Sequence, residues 1–477
     1  MFFSSLLLKL FEGQQDETFI SNSQGIPKMK KRLWILLIFG LFIIAASAVL
    51  LVVNPLKKNI NPVILIGLDG ADWNVIDPLL KKGKLPHLKN LIQEGTSGIL
   101  ETIRPTKSPV IWTSIATGKT MIKHGILDMT FVTKNNIEVP YTAGERKTKA
   151  IWNILSENDL TVGITNWFCT FPPEDVNGYL VSNRFRMSVF KYLLNVDVTF
   201  PSELKKDLFP HVIGLKDKKY GKSLKTEGLE DYFTLSKNRK IEIPESRATQ
   251  VKRFRIYFLQ DKSIENISLH LFEKRPVDFF SPYFRLIDTT SHFSSLFISE
   301  ELRERWIEEF KQNGRYSPET ELLLYEEMAG IIEPVYTYLD NVVGRIMAKA
   351  EENTTFILVS DHGFVFTESG YNHYNTDKLA HGIVILKGPD IKKDHRLQKA
   401  HIFDIAPTIL YLFGLPAGKD MDGRVLLDAF QDRYAKRNKA KMISTYDSKD
   451  WALHKKERSR ELDEEELEDL RTLGYIK

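Results

Sequence analysis

The segment Val63-Ile64-Leu65-Ile66-Gly67-Leu68-Asp69-Gly70 limits what this chain can become more than any other. A run with no polar side chain suits a strand covered on both faces, as in a parallel sheet between layers of helix, because a strand with one wet face would alternate. An acid follows at once, where such strands deliver ligands from their carboxyl ends. Beyond it the pattern keeps switching period. Helices are expected over 74–82, 88–94, 150–157 and 334–350, the last with Leu339, Val342, Val343, Ile346 and Met347 on one face. Strands are expected over 161–165, 356–359 and 383–386, and an apolar helix over 402–413 is stopped by Gly414 and Pro416. The expected class is therefore α/β, a mostly parallel sheet flanked by helices.

With 477 residues the chain exceeds what one ordinary core organises. The alternation fades over 168–277, where Lys205, Lys206, Lys216, Lys218, Lys219, Lys222 and Lys225 accumulate. That stretch is expected to be a cap inserted between two parts of a core, 61–167 and 278–430, with a helical tail over 431–477. Its lysines read as a solvated face, or as cations offered to an anionic substrate. The 66 basic and 62 acidic residues nearly cancel, leaving a net charge of +4 and no reason to expect a nucleic-acid partner. A single cysteine, Cys169, excludes an internal disulfide framework and a Cys-rich zinc module. No oligomeric state follows from these features.

Residues 33–53 carry no charge and are long enough, at about 1.5 Å per residue, to cross a hydrocarbon layer about 30 Å thick. Lys28, Lys30, Lys31 and Arg32 precede this run and only Lys57 and Lys58 follow closely. The bias puts the N-terminus in the cytoplasm and the rest of the chain outside it. The expectation is one membrane-spanning helix that ties the protein to a lipid bilayer, with 29–60 as anchor and linker. Ala46-Ser47-Ala48 would alternatively serve as a signal-peptide cleavage site. Residues 1–28 form an extension, and Met29 is an alternative start.

Two acid–histidine pairs stand far apart, Asp288-Thr-Thr-Ser-His292 and Ser360-Asp361-His362-Gly363. On a helix the first pair shares a face. The second follows a strand, and Gly363 permits the turn that would let both side chains reach one ion. With Asp69 they make a set of carboxylates and imidazoles without thiolates, which suits zinc or manganese. Two such ions roughly 3.5–4 Å apart can hold both oxygens of an in-line displacement at phosphorus. Ser108-Pro109 reads as a helix start with Ser at the N-cap, a place where backbone N–H groups and the helix dipole also favour a bound phosphoryl group.

The order of these pieces resembles the alkaline phosphatase superfamily, in its type I phosphodiesterase and nucleotide pyrophosphatase branch. The resemblance rests on Leu68-Asp69-Gly70, Pro105-Thr106-Lys107-Ser108, Thr117-Gly118, His124-Gly125-Ile126, Asp288-x-x-x-His292, Asp361-His362-Gly363, Gly388-Pro389 and the stretch from Asp404 to Arg424. It implies an alkaline-phosphatase-like core and a hydrolase of phosphate esters that uses two divalent metal ions. Asp69, Ser108, Asp361 and His362 are implied as ligands of one ion, with Ser108 also the catalytic nucleophile that becomes phosphorylated. Asp288, His292 and His373 are implied as ligands of the other, His381 being the alternative to His373 and Thr106 the alternative hydroxyl. Leu127-Asp128-Met129 stands where that branch usually has an Asn after His-Gly-Ile, which puts nucleotide specificity in doubt. A transferase that moves a phosphoryl headgroup to a lipid or glycan, and a metal-stabilised binding protein, are the competing expectations.

Overall fold

The computed structural model describes residues 60–190, 196–214, 245–295, 298–367, 370–373 and 379–448, without the side chains of 187–190 and 245–253. The chain divides into two compact units, Met1–Ile60 and Asn61–Lys477, and every candidate site residue lies in the second. The run 33–53 and the tail beyond 448 lie outside the described residues. Among those described, no helix is long and apolar enough to cross a membrane.

The strands are β1 (Val63–Leu68), β2 (Thr96–Glu101), β3 (Thr130–Val132), β4 (Glu138–Pro140), β5 (Val162–Thr165), β6 (Gly178–Val181), β7 (Thr199–Phe200) and β8 (Phe279–Phe284). They continue with β9 (Thr355–Val359), β10 (Val365–Thr367), β11 (Gly370–Asn372), β12 (Gly382–Lys387), β13 (His395–Arg396) and β14 (Ala400–His401). The main sheet runs β13-β2-β12-β9-β1-β8-β5-β6-β7, with β14 also on β2. From β9 to β6 every neighbour is parallel, while β12 and β7 run against their neighbours. β1 lies between β8 and β9, and all six of its residues are buried, as an apolar strand without alternation requires.

The helices are α1 (Trp73–Lys81), α2 (Pro86–Gln93), α3 (Ser108–Thr117), α4 (Met121–His124), α5 (Ile151–Glu157) and α6 (Leu204–Leu208). After them come α7 (Glu245–Lys274), α8 (Leu286–Ser294), α9 (Glu300–Asn313), α10 (Pro318–Met347) and α11 (Ile405–Leu412). Ile64, Ile66 and Leu68 of β1 join the core cluster formed with α1, α2, α7, α8 and α10. The opposite face of the sheet takes α3, which packs on α5 and α11. Gly67 makes that docking possible, because a Cβ there would lie 2.9 Å from the Trp112 ring of α3. Trp112 also meets Trp167 and Tyr283 edge-on at 5.0 and 4.9 Å, so the helix that begins at Ser108 is held by an aromatic cluster.

Two expectations change. The helix expected over 334–350 begins at Pro318, with Ser317 accepting the Thr320 amide as its N-cap, and Pro334 lies inside it. Buried Leu324, Met328, Ile331, Ile332 and Val335 carry the apolar stripe through the proline, and packing outweighs the missing N–H. The stretch 168–277 is also more than a cap. Its described part supplies β6 and β7, which extend the sheet beyond β5, and α7, which packs on β5 and β8. Lysines 216–225 lie outside the described residues.

Candidate active site

Three adjacent parallel strands, β9, β1 and β8, deliver the acids. Asp69 directly follows β1, its amide donating to Phe284 O at 2.9 Å while its own carbonyl accepts the Asp288 amide at 3.0 Å. Gly70 follows with φ +76°, and a Cβ there would lie 2.9 Å from Asp288 Cα, so only glycine lets the two acidic segments approach this closely. Asp288 and His292 share one face of α8, with His292 Nε2 3.2 Å from Asp288 Oδ1. Asp361 and His362 follow β9, and Asp361 Oδ1 accepts the Gly70 amide at 3.3 Å.

Ser108 enters from α3, one position away from the expected cap. Lys107 holds the N-cap with extended backbone, Ser108 is the first helical residue, and Pro109 the second. The Ser108 hydroxyl lies 3.5 Å from Asp69 Oδ1. His373 arrives on the far end of the β10–β11 hairpin, its Nε2 3.5 Å from Asp288 Oδ1 and 3.1 Å from His292 Nε2. The His362 and His373 rings stack at 3.5 Å and 13°. His381 is elsewhere engaged, its Nδ1 accepting the Thr102 amide at 3.2 Å. Thr106 donates its hydroxyl to the His373 carbonyl, which makes it a support for the hairpin residue.

Two groups of donor atoms result, Asp69 with Asp361 and His362, and Asp288 with His362 and His373, the atoms of each lying within 4.8 Å of one another. His362 belongs to both. Its Nε2 is 3.5 Å from Asp69 Oδ1, 3.3 Å from Asp361 Oδ2 and 3.9 Å from Asp288 Oδ1. Asp288 Oδ1, Asp361 Oδ2 and His362 Nε2 are buried without a hydrogen-bond partner. Native proteins seldom leave such atoms unsatisfied, and these are all donors that divalent cations take. The set therefore fits metal binding.

The electrostatics agree. Burial, followed by repulsion from Asp288, raises the pKa of Asp69, and burial with repulsion from Asp69 and Asp288 raises Asp361 well above the carboxylate range. Burial also lowers His362 to about 3, with repulsion from His373 adding to it. Burial works against the charged form of Asp288, yet His292 and His373 hold its pKa well below the usual value. Carboxylates so close in a buried place call for positive charge among them.

Several contributors carry no sequence signal of their own. Tyr283, within β8, donates its hydroxyl to Asp69 Oδ2. Asp261 of α7 accepts the Arg285 and Leu286 amides at 3.0 and 2.8 Å, so a carboxylate from another helix caps the start of α8. Above Ser108 lies a cavity of about 260 Å³, whose lining includes Lys107, Arg285, Asp288, His292 and His373. Lys107 Nζ is paired there with Asp128.

Residues 63–461 match the family described as type I phosphodiesterase / nucleotide pyrophosphatase. The chain belongs to that family. This type I phosphodiesterase/nucleotide pyrophosphatase chain is accordingly a hydrolase of phosphoric ester bonds in the alkaline phosphatase superfamily. Comparison with curated proteins gives no match. Among solved structures, a 2-O GAG sulfatase, BT1596, has a TM-score of 0.50 at 11% identity over 78% of this chain and 74% of its own, a likeness of fold. A phosphonate monoester hydrolase from Silicibacter pomeroyi gives 0.43 at 15% identity, over 77% and 76%. Murine ectonucleotide pyrophosphatase/phosphodiesterase 5, in an inactive form in complex with AMP, gives 0.41 at 12% identity, over 78% and 100%.

Proposed function

We propose that this family member is a metal-dependent phosphohydrolase or phosphodiesterase in which Ser108 takes the phosphoryl group from the ester. The observation that carries this reading is the Ser108 hydroxyl at 3.5 Å from Asp69, at the edge of a buried carboxylate–imidazole cluster. Asp69, Ser108, Asp361 and His362 would hold one divalent cation, zinc or manganese by donor type, and Asp288, His292 and His373 the other. Bound there, the cations lower the pKa of the serine hydroxyl and neutralise charge on the transferring group. Ser108 Oγ gives its proton to solvent and forms a bond to phosphorus as the bond to the ester oxygen breaks. The departing alkoxide takes a proton from water. A second water then attacks the phosphoserine, the P–Oγ bond breaks, and Ser108 recovers a proton. Tyr283 fixes the orientation of Asp69, and the Ser108 amide at the start of α3 would donate to the phosphoryl group, since Pro109 has no N–H and the Val110 and Ile111 amides donate to the Lys107 carbonyl.

Ser108→Ala should lower turnover by orders of magnitude with little change in melting temperature, and Ser108→Thr should retain part of it. Intact-protein mass after an acid quench should reveal phosphate on Ser108. Elemental analysis should find two metal equivalents in the wild type and a loss in each of Asp361→Ala and His292→Ala. Near-normal turnover in Ser108→Ala would sink the mechanism.

The membrane anchor belongs to the same proposal. Its support is the uncharged run 33–53 with basic residues on its N-terminal side, which orients the hydrolase outside the cytoplasm.

A further inference from the structure

The loop after β9 carries His362, the donor that belongs to both groups of ligand atoms, and its peptide groups are tied down one after another. Ser360 Oγ donates to the His362 carbonyl at 2.7 Å, and the Gly363 amide donates to the Ala380 carbonyl at 3.0 Å. The next peptide unit is held at both ends. Its carbonyl, Gly363 O, lies 3.1 Å from His362 Nδ1, and its amide, Phe364 N–H, donates to Asp72 Oδ2 at 2.9 Å. A carbonyl only accepts, so Nδ1 carries the ring proton and Nε2 is left bare toward Asp69 and Asp361.

Asp72 has another task, which explains only half of its carboxylate. It is the N-cap of α1, where Oδ1 accepts the Asn74 amide at 2.8 Å, and a single acceptor atom satisfies that requirement. The second oxygen faces the ligand loop. A Cβ on Gly363 would lie 2.6 Å from Asp72 Oδ2, so the loop comes as near as only a residue without a side chain allows. Asp72 is buried, and its own amide donates to the Tyr336 hydroxyl of α10 at 3.0 Å, which steadies it from a second helix.

The same Phe364 amide sets where the Phe364 side chain stands. Its ring is met by those of His362, His292 and His373 at 5.6, 5.1 and 5.1 Å, and it stacks on Tyr371 of β11 at 5.1 Å. Three candidate ligands thus rest on one ring whose backbone Asp72 holds.

We propose that Asp72 is a positioning residue of the metal centre, acting on His362 through the Gly363–Phe364 peptide. The inference rests on the proposed reaction, which gives His362 to the cations. Metal-binding imidazoles are commonly oriented by a carboxylate on the far ring nitrogen. Here one peptide unit stands between the two, polarised at its N–H by Asp72 and so a stronger acceptor at its C=O.

Asp72→Ser separates the two tasks, because a serine caps α1 as well as an aspartate does yet is too short to keep the Phe364 amide. In the full chain its zinc affinity, measured by competition with a chelator, should fall about 10–100-fold, while the Asn74 amide keeps its protection from hydrogen exchange. Nitrogen-15 spectra of the metal-free, histidine-labelled chain, with His362 assigned by the signal lost in His362→Gln, should show the Nδ1–H tautomer in the wild type and a mixture in Asp72→Ser. A role confined to stability would move the melting temperature and leave the tautomer alone. That result, with zinc affinity within about twofold of the wild type, overturns the proposal. So does rapid exchange of the Phe364 amide in the wild type, a measurement that needs no variant. A wild type that binds no zinc would instead count against the proposed reaction, and the tautomer would still decide the inference.

Discussion

The Ile126 amide donates to His124 Nδ1 at 3.2 Å, which leaves the ring proton on Nε2, and that proton goes to Ser114 Oγ at 3.0 Å. Ser114 in turn donates to the Val110 carbonyl at 3.0 Å, so His124 clips the loop after α4 onto the nucleophile helix. Burial, aided by Arg146, lowers its pKa to about 3, and the ring is neutral. His124→Ala should therefore cost about 1–3 kcal/mol in urea unfolding, with both metal equivalents kept. Wild-type stability in that variant would mean the clip contributes nothing. His124 belongs to a motif quoted for the family resemblance, yet its chemistry here is structural. Asp69, Asp288, His292, Asp361 and His362 were legible because each stands at a strand end or on a helix face with a recognisable spacing, whereas His373 was implied only by the family resemblance. Tyr283 was not legible, because an aromatic residue among Phe279, Phe280 and Phe284 looks like core until its hydroxyl is seen against Asp69.

At the scale of elements, α8 is the piece that must not drift, since it carries Asp288 and His292. It has no side-chain cap of its own, and Asp261 of α7 performs that task from a distance. Asp261→Ala should cost metal at the Asp288 and His292 positions, whereas Asp261→Asn, which keeps an acceptor, should preserve it. Elemental analysis and hydrogen exchange at the Arg285 and Leu286 amides would decide the matter, and unchanged exchange in the alanine variant would refute it. Burial raises the Asp261 pKa to about 7, against the cap amides and Arg285, which lower it. The folded state then holds a proton that the unfolded chain releases near pH 4. Stability tied to this group should fall as pH rises from about 4 to 7, by at most about 1.4 kcal/mol per unit, and Asp261→Asn should flatten that slope. None of this could be read from the sequence. Asp261 lies where the alternation of periods fades, and it meets α8 only after folding. β8 was obscured for a related reason, since Pro282 within Phe279–Phe284 argues against a central strand.

At the scale of the molecule, the compact unit begins at Asn61, so a chain started there should fold and bind metal without the preceding residues. A melting temperature more than a few degrees below that of the full chain would contradict this. A reporter that needs export, fused after Lys477, should be active on the full chain if the anchor is oriented as proposed, and a signal from a cytoplasm-only reporter would reverse it. The α/β class and the strands β1 and β9 were legible, because buried parallel strands are apolar without interruption. Strands β6 and β7, at that end of the sheet, were not, being short and set among loops. The place of β1 in the sheet has a consequence for the living ribosome. β1 is made early, but its two neighbours pair with it at Phe279 and Thr355, the nearer of them roughly 200 residues later, or about ten to forty seconds at ordinary rates of synthesis. Through that interval the nascent chain carries a bare, sticky strand and no assembled chemistry. The site thus cannot assemble around Asp69 until His362 and His373 have also been made.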